Sequence, residues 1–326
     1  MMNKNVLVDG NNLLHRAYAV FVMNKTDDPM MYGGYPTGLI YGVLSMLSDW
    51  MFSMDDHDRL VFFLDGIPKR RRDMDPEYKV KDSTPQLWDN VGKKLADGYD
   101  AANQLDVLLH LLMLLGFDII FGQEEEADDL IASFVFSHSS DLNVVVSPDQ
   151  DFYQLVGENN VILYRPGIKG DRFFDAERVE QSMYDKYKIR LKPSGIRMFK
   201  SLTGDVSDNI KGVPRLRKKV AAPLCSCRSV DELFDTGLPG FSKAEKANAN
   251  ALKDRIALNY ELVGLVCDID VDKFTLKAEP DHDRAFKILS SDFGMASLPI
   301  HAFESSKSRS VRIGDPGRVD SLFDDI

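Results

Sequence analysis

Aspartate is the residue this sequence places where chemistry could be done. VDG at 8–10, LDG at 64–66 and SPDQD at 147–151 each close an apolar run: Val6–Val8, Leu60–Leu64 and Val144–Val146. Continuous apolar runs of this length read as strands buried on both faces. Asp9, Asp65, Asp149 and Asp151 then stand at the carboxyl ends of strands, where open parallel sheets bind ligands. One such Asp is ordinary turn chemistry; three strand ends in one sheet are not. The stretch GQEEEADDLI at 122–131 follows a further run, Phe117–Phe121, and half of its residues are acidic. Leu130, Ile131, Phe134 and Val135 share one helical face, which puts Glu126, Asp128 and Asp129 in or just before the first turn. The helix dipole favours acids there by about 0.3–1 kcal/mol each. That accounts for one or two acids, not five. In LTGDVSDN at 202–209, Asp205 and Asp208 are three apart and share a face of a helical turn, unless they merely cap a glycine turn.

If these acids converge, they need cations. Two like charges about 4 Å apart repel by roughly 4 kcal/mol at an effective dielectric near 20. An all-oxygen donor set without Cys or His selects hard ions, Mg²⁺ with Mn²⁺ as a substitute. So many carboxylates suggest two ions, the arrangement for phosphodiester hydrolysis: one activates water and the other stabilises the leaving oxygen. Zinc is disfavoured, because Cys225, Cys227 and Cys267 lack ligand spacing and a nearby His cluster. Reduced thiols in a reducing cytoplasm are the expectation.

The elements that must position these groups follow from periodicity. Strands are expected at Val6–Val8, Leu60–Leu64, Phe117–Phe121, Val144–Val146 and Val161–Tyr164, with helices between them over Leu39–Phe52, Ala101–Leu115 and Asp128–His138. This pattern is an α/β fold: a central, mainly parallel sheet with helices on both faces. After about Phe173 the strand signals fade, and Ile196–Leu202, Lys243–Leu252 and Ile256–Leu265 read as helices. The expected organisation is an α/β domain over 1–189 with a polar inserted region over about 70–103, a helical unit over 190–303, and a flexible tail over 304–326. The 326 residues carry a formal charge of −11, yet basic residues cluster at 69–72, 211–219 and 307–318. A local basic patch can act on nucleic acid despite an acidic whole. The longest apolar run, near Val107–Leu115, is broken by His110 and too short to span a bilayer. With no signal-peptide pattern at the start, the expectation is a soluble, cytoplasmic chain.

Taken in order, the motifs resemble the 5′-nuclease superfamily of flap endonucleases, 5′→3′ exonucleases and bacteriophage ribonuclease H enzymes. The matching stretches are VDGNNLLHRAYA at 8–19, GYPTGLIYG at 34–42, FLDG at 63–66, PEYK at 76–79, EADD at 126–129, SPDQDFYQL at 147–155 and LTGDVSDNIKGVP at 202–214. The short chain looks most like the stand-alone phage enzymes. The resemblance implies a PIN-like nuclease domain and a helical subdomain with a helix–two-turn–helix-like motif. It implies first-metal ligands at Asp9, Asp65, Glu126, Asp128 and Asp149. A second cluster falls at Asp151, Asp205 and Asp208, with Asp129 supporting one or both. Lys79 would hold the scissile phosphate at the base of a helical arch, Tyr78 would stack on an unpaired base, and Arg72 matches the arch arginine. Arg16, Lys200, Lys211, Arg215, Arg217, Lys218 and Lys219 are the implied nucleic-acid contacts. Two departures stand out. Arg215 and Arg217 replace glycines of the family's GVPGIGPKTA, which puts its potassium site in doubt. Asp82 stands where an arch arginine is common.

The implied function is divalent-metal hydrolysis of phosphodiesters at 5′ ends and flaps of branched or nicked duplex DNA and RNA–DNA hybrids, leaving a 5′ phosphate. RNA primer removal in phage replication, in the host cytoplasm, fits that reading, as does a monomer with no membrane association. The terminal VDSLFDDI resembles sliding-clamp-binding peptides, with Leu322 and Phe323 as anchors and Val319 where Gln is usual. A single-strand-binding protein is a further candidate partner. The rivals are a haloacid-dehalogenase-like phosphatase with Asp9 as nucleophile, and a non-catalytic DNA-binding or Ca²⁺-binding module. The phosphatase usually needs a second Asp where Asn11 stands.

Overall fold

The computed structural model describes residues 2–25, 29–52, 57–80, 101–157, 160–167 and 172–304. Most of the inserted region expected over 70–103, including Asp82, and the tail with Leu322 and Phe323 lie outside the described residues.

The centre is a seven-stranded sheet. Its strands are β1 (Lys4–Asp9), β4 (Arg59–Leu64), β5 (Phe117–Phe121), β6 (Leu142–Val146), β7 (Val161–Tyr164), β8 (Phe173–Phe174) and β11 (Thr275–Leu276), in the spatial order β11-β5-β4-β1-β6-β7-β8. The five inner strands are parallel, and β8 and β11 close the edges antiparallel. Two small antiparallel ladders stand apart, β2 (Met31–Tyr32) with β3 (Tyr35–Pro36), and β9 (Gly204–Asp205) with β10 (Ile210–Lys211). Successive side chains of a strand face opposite ways, and the sheet obeys this. Leu7, Val61, Phe63, Ile120 and Val145 enter one core, while Val6, Val8, Phe62, Ile119 and Val144 enter the other. Both sets are almost wholly buried. Each large apolar side chain so buried contributes about 1.5–3 kcal/mol, which is why the strands read as continuous apolar runs.

The helices on the second core are α1 (Gly10–Phe21), α2 (Gly38–Phe52) and α4 (Ala101–Leu114); the short α3 (Lys69–Met74) precedes the inserted region. On the first core lie α5 (Ala127–Ser137), α6 (Ala176–Tyr187) and α7 (Ile196–Thr203), followed by α8 (Lys218–Ala221), α9 (Val230–Asp235), α10 (Lys243–Ala251) and α11 (Lys253–Val263). No described helix is long and apolar enough to cross a membrane.

The helical unit expected over 190–303 does not run that far. Thr275 and Leu276 pair with β5, and the segment beyond, with α12 (His282–Lys287), buries Ala285, Leu289, Met295, Leu298 and Phe303 in the second core beside α2 and α4. The chain returns to the α/β domain because β5 is otherwise an unpaired edge. The two-residue strand that covers it is too short to show alternation in sequence.

Candidate active site at the carboxyl edge of the sheet

Asp9 is both the last residue of β1 and the N-cap of α1. One carboxylate oxygen accepts from the Asn12 backbone N–H at 3.1 Å, and the other from the Ser147 hydroxyl at 2.7 Å. Helix α1 can start this close to β4 only because residue 10 is glycine. A Cβ there would meet Phe62 at 2.3 Å and the Phe63 carbonyl at 2.4 Å. Asp65, one residue past β4, accepts from the Ala127 N–H at 2.7 Å and the Asn11 amide at 2.9 Å. Its own N–H donates to the Asn11 carbonyl oxygen at 3.1 Å. Asn11 thus spends its amide group on Asp65, which removes it from the role a phosphatase would need there. Asp128 lies in the first turn of α5, and Asp149 in the loop after β6, where its carboxylate accepts from the Asp151 N–H at 2.9 Å.

Asp9, Asp65 and Asp149 accept from neutral donors, and burial dominates the electrostatics of Asp9, Asp65 and Asp128. Burial pushes the Asp9 carboxyl up to about 7, against the Ser147 and Asn12 hydrogen bonds and with help from Asp65 and Asp149. Burial also raises Asp65, and raises Asp128 well above the carboxylate range with Asp9 and Asp149 adding repulsion. Lys79 lowers Asp65 and Asp128 only in part; a set of carboxylates with no salt bridge to a cation among the described residues fits hard divalent ions.

Glu126 is different. Arg71 and Lys79 both reach it: the Arg71 guanidinium contacts one carboxylate oxygen, and Lys79 Nζ lies 2.6 Å from the other. Burial alone would raise Glu126, but Lys79 and Arg71 hold it below the usual range. Arg71 is 5 % exposed. It also donates to Asp129 at 2.5 and 2.8 Å and to the carbonyls of Leu262 and Gly264, each at 2.8 Å. All five N–H donors of a guanidinium therefore join α3, the start of α5 and the end of α11. Asp129, expected to support the metals, is consumed by Arg71 and by the Val266 N–H at 2.9 Å. Arg72, matched by resemblance to the arch arginine, is half-buried, and it is its neighbour Arg71 that points into the fold. Four consecutive basic residues carried no signal for that register.

Lys79 is also fixed through its backbone. It adopts a left-handed conformation, φ 51°, and its N–H donates to the Asp208 carbonyl at 3.0 Å. For a residue with a side chain this costs on the order of 1–2 kcal/mol, and such strain gathers at functional sites. Tyr78 does not offer its ring to a base. It is 3 % exposed, packed with Ile210, Leu262 and Val263, and its hydroxyl lies 3.3 Å from both Glu126 and Asp208.

Asp151, Asp205 and Asp208 place ligand oxygens within 4.8 Å of one another, the one such acidic group among the described residues. Gly204, at φ +76°, makes the turn that aims them; a Cβ there would meet the Gly212 nitrogen at 2.4 Å. Lys200, expected at phosphate, stands inside this trio instead. Its ammonium contacts Asp151 and lies 2.7 Å from Asp205. Burial would raise Asp205, but Lys200 and Ser207 lower it; Asp208, with burial and Asp205 against it, is raised despite Lys79.

The remaining basic candidates divide. Arg217 closes on Glu245 through contacts of 2.9 and 2.7 Å, and Glu245 in turn completes the capping box that starts α10. Lys211 forms an exposed pair with Glu77 at 3.1 Å, and Arg16 donates to the Pro166 carbonyl at 3.3 Å. Arg215, at φ 59°, sits in the left-handed region that the glycine expected there would occupy freely. Arg215, Lys218 and Lys219 are exposed and pair with no described carboxylate. Glu124, the edge of the acidic stretch, is exposed and pairs with Lys69 at 2.8 Å. Ser147 and Asn11 escaped sequence reasoning, although both lie inside motifs that carried the resemblance.

A parallel sheet whose central strands end in carboxylates stands beside a glycine-turn acid trio that could hold a metal ion. The profile described as 5′-3′ exonuclease, N-terminal resolvase-like domain matches residues 4–184, and the chain belongs to that family. It is 28 % identical over 273 residues to the 5′-3′ exonuclease of Aquifex aeolicus, covering 82 % of this chain and 83 % of that one. It is 28 % identical over 277 residues to DNA polymerase I of Bacillus subtilis, of which it spans only 28 %. In fold it is similar to the bacteriophage T5 flap endonuclease solved as a pseudo-enzyme-product complex with DNA and metal ions. That likeness has a TM-score of 0.55 at 19 % identity and covers 92 % of this chain and 99 % of the other.

Proposed function

We propose that this chain is a structure-selective 5′-nuclease using two Mg²⁺ ions, for which Mn²⁺ substitutes. It hydrolyses phosphodiesters at 5′ ends and flaps of duplex DNA and RNA–DNA hybrids, as in removal of RNA primers during phage replication. The observation that carries this reading is the gathering of buried carboxylates with raised pKa values at the ends of β1 and β4 and the start of α5, next to the Asp151–Asp205–Asp208 trio. Asp9, Asp65, Asp128 and Asp149 would hold one ion with Glu126 at its edge, and the trio the other. When bound, the ions supply Lewis-acid stabilisation of the phosphate and activation of water. Lys79, anchored on Glu126, would hold the scissile phosphate. Arg71 keeps Glu126 and the base of the inserted region in register with α5. Leu322 and Phe323 in VDSLFDDI would anchor a sliding clamp; equal clamp binding by the full chain and a truncation after Gly317 would sink that part.

The deciding experiment uses a 5′-labelled flap duplex and an RNA–DNA hybrid with Mg²⁺, Ca²⁺ or EDTA. Cleavage is expected with Mg²⁺ only. Full activity in EDTA, or in Asp9→Ala, would overturn the proposal.

A further inference from the structure

A basic surface outside the motifs lies between the site and the 215–219 loop. Helix α6 ends at Lys188, which adopts the left-handed C-cap conformation at φ 56° and donates its N–H to the Tyr184 carbonyl at 2.8 Å. The chain then runs without helix or ladder pairing to Pro193, and burial alternates along it. Ile189 and Leu191 are each 4 % exposed, while Lys188, Arg190 and Lys192 face solvent. With Ile189 and Leu191 turned into the core, Lys188, Arg190 and Lys192 lie together on the solvent side of this segment.

Its position matters as much as its exposure. At one side, Lys186 Nζ donates to the Gln150 side chain at 2.7 Å, and Gln150 lies between Asp149 and Asp151. On the other side, Lys218 Nζ sits 4.3 Å above the Tyr187 ring, which brings the 215–219 loop against the end of α6. Lys188 and Arg190 lie over the exposed Tyr184 ring at 5.5 and 5.8 Å. None of Lys188, Arg190 and Lys192 pairs with a carboxylate among the described residues, and the nearby Asp185 accepts from Gln181 at 2.9 Å. Lys200, Lys211 and Arg217, by contrast, are each held by an acid.

We infer that Lys188, Arg190 and Lys192 form a phosphate-binding row that, with Arg215, Lys218 and Lys219, tracks one strand of the duplex arm leaving the cleft. This rests on the reading of the site as a nuclease and adds the surface that holds its substrate. The row sets binding and salt sensitivity and touches no reacting atom.

The test is the triple variant Lys188→Gln/Arg190→Gln/Lys192→Gln. Duplex binding is measured by fluorescence anisotropy in EDTA between 50 and 200 mM salt, and cleavage separately with Mg²⁺. Each lost phosphate contact reduces the slope of log K against log salt by about 0.9, so a fall of about 2.7 is expected. KM should rise while kcat at saturation stays at the wild-type value. Lys287→Gln, an exposed change on α12 (exposed in the chain as folded), should match wild type throughout. A slope and KM equal to wild type overturn the row. If the wild type cleaves nothing but binds duplex with a steep slope that the variant loses, the nuclease reading fails and the row stands. Should the triple variant not fold, Arg190→Glu alone must weaken duplex binding at least threefold, and an unchanged Kd refutes the row.

Discussion

Asp9 and Asp65 accept hydrogen bonds from neutral donors, and Lys79 acts on Asp65 and Asp128 only through space, whereas Asp151 and Asp205 have the Lys200 ammonium in contact between them. Both groups are acids near the carboxyl edge of the sheet, and residue type alone gives no reason to expect different electrostatics in them. The first group carries raised pKa values, from burial and mutual repulsion. In the second, Lys200 draws Asp205 below the usual range, although Asp208 stays raised. The first group therefore depends on outside cations to stay ionised, while the second has part of its countercharge built in. Glu126 lies between these regimes, with Arg71 and Lys79 as its cations.

The strongest way to break this comparison is Asp9→Asn. Cleavage should fall by about 10³-fold, a loss on the scale of removing one preorganised electrostatic group from an active site, measured by single-turnover flap cleavage in Mg²⁺. The same change should leave metal-free protein as stable as wild type or more so. Asp205→Asn should lower the urea midpoint, because it leaves Lys200 with Asp151 as its one remaining carboxylate partner. Opposite results for the two variants would reverse the distinction between the clusters.

Arg71→Met comes next, and it acts on folding. Removing one partner of a buried ion pair costs about 3–5 kcal/mol because the other charges stay behind; here those are Glu126 and Asp129. Urea denaturation should show the loss, with Arg71→Lys intermediate. An undiminished midpoint would mean that the guanidinium does not join the three elements.

A pH series sharpens the contrast. In EDTA, Asp9 titrates near 7 when folded and near 3.8 when unfolded, so the native state holds the extra proton between those values. Its contribution to stability falls as pH rises from about 4 to about 7. Asp205 is lowered, so its contribution is present above its unfolded pKa and fades only as pH falls through its folded value. The urea midpoint of Asp9→Asn relative to wild type should therefore rise between pH 5 and pH 8, and a flat difference would contradict the burial of the Asp9 charge. The smallest effect belongs to Ser147→Ala. Loss of one hydroxyl behind a ligand typically weakens metal affinity about 10–100-fold, read as a higher Mg²⁺ concentration for half-maximal cleavage with kcat little changed.

The five inner strands and the placement of their acids were legible because both signals are local. A strand buried on two faces must be apolar throughout, and an Asp following it must sit at its carboxyl end. The return of residues 275–303 to the α/β domain was not legible, since a two-residue strand and a short helix have no period to read. The basic residues were the least legible part of the site. Lys200, Arg217 and Arg71 carry the same charge in sequence as Lys218, yet they face the distant carboxylates of Asp151, Glu245 and Asp129, and Lys218 faces a tyrosine ring.

By itself, then, the sequence determined the sheet, the acids at its edge and the demand for hard cations, because backbone period and residue chemistry act over a few neighbours. The tertiary structure decided which charges are spent on the fold and which remain for a substrate. Arg71 rather than Arg72 turns inward, Tyr78 is sealed in the core, and Lys188, Arg190 and Lys192 pair with no carboxylate among the described residues. A side chain's partner can lie far along the chain, as Arg71 and Gly264 do at 193 residues apart, and no local pattern encodes such a meeting.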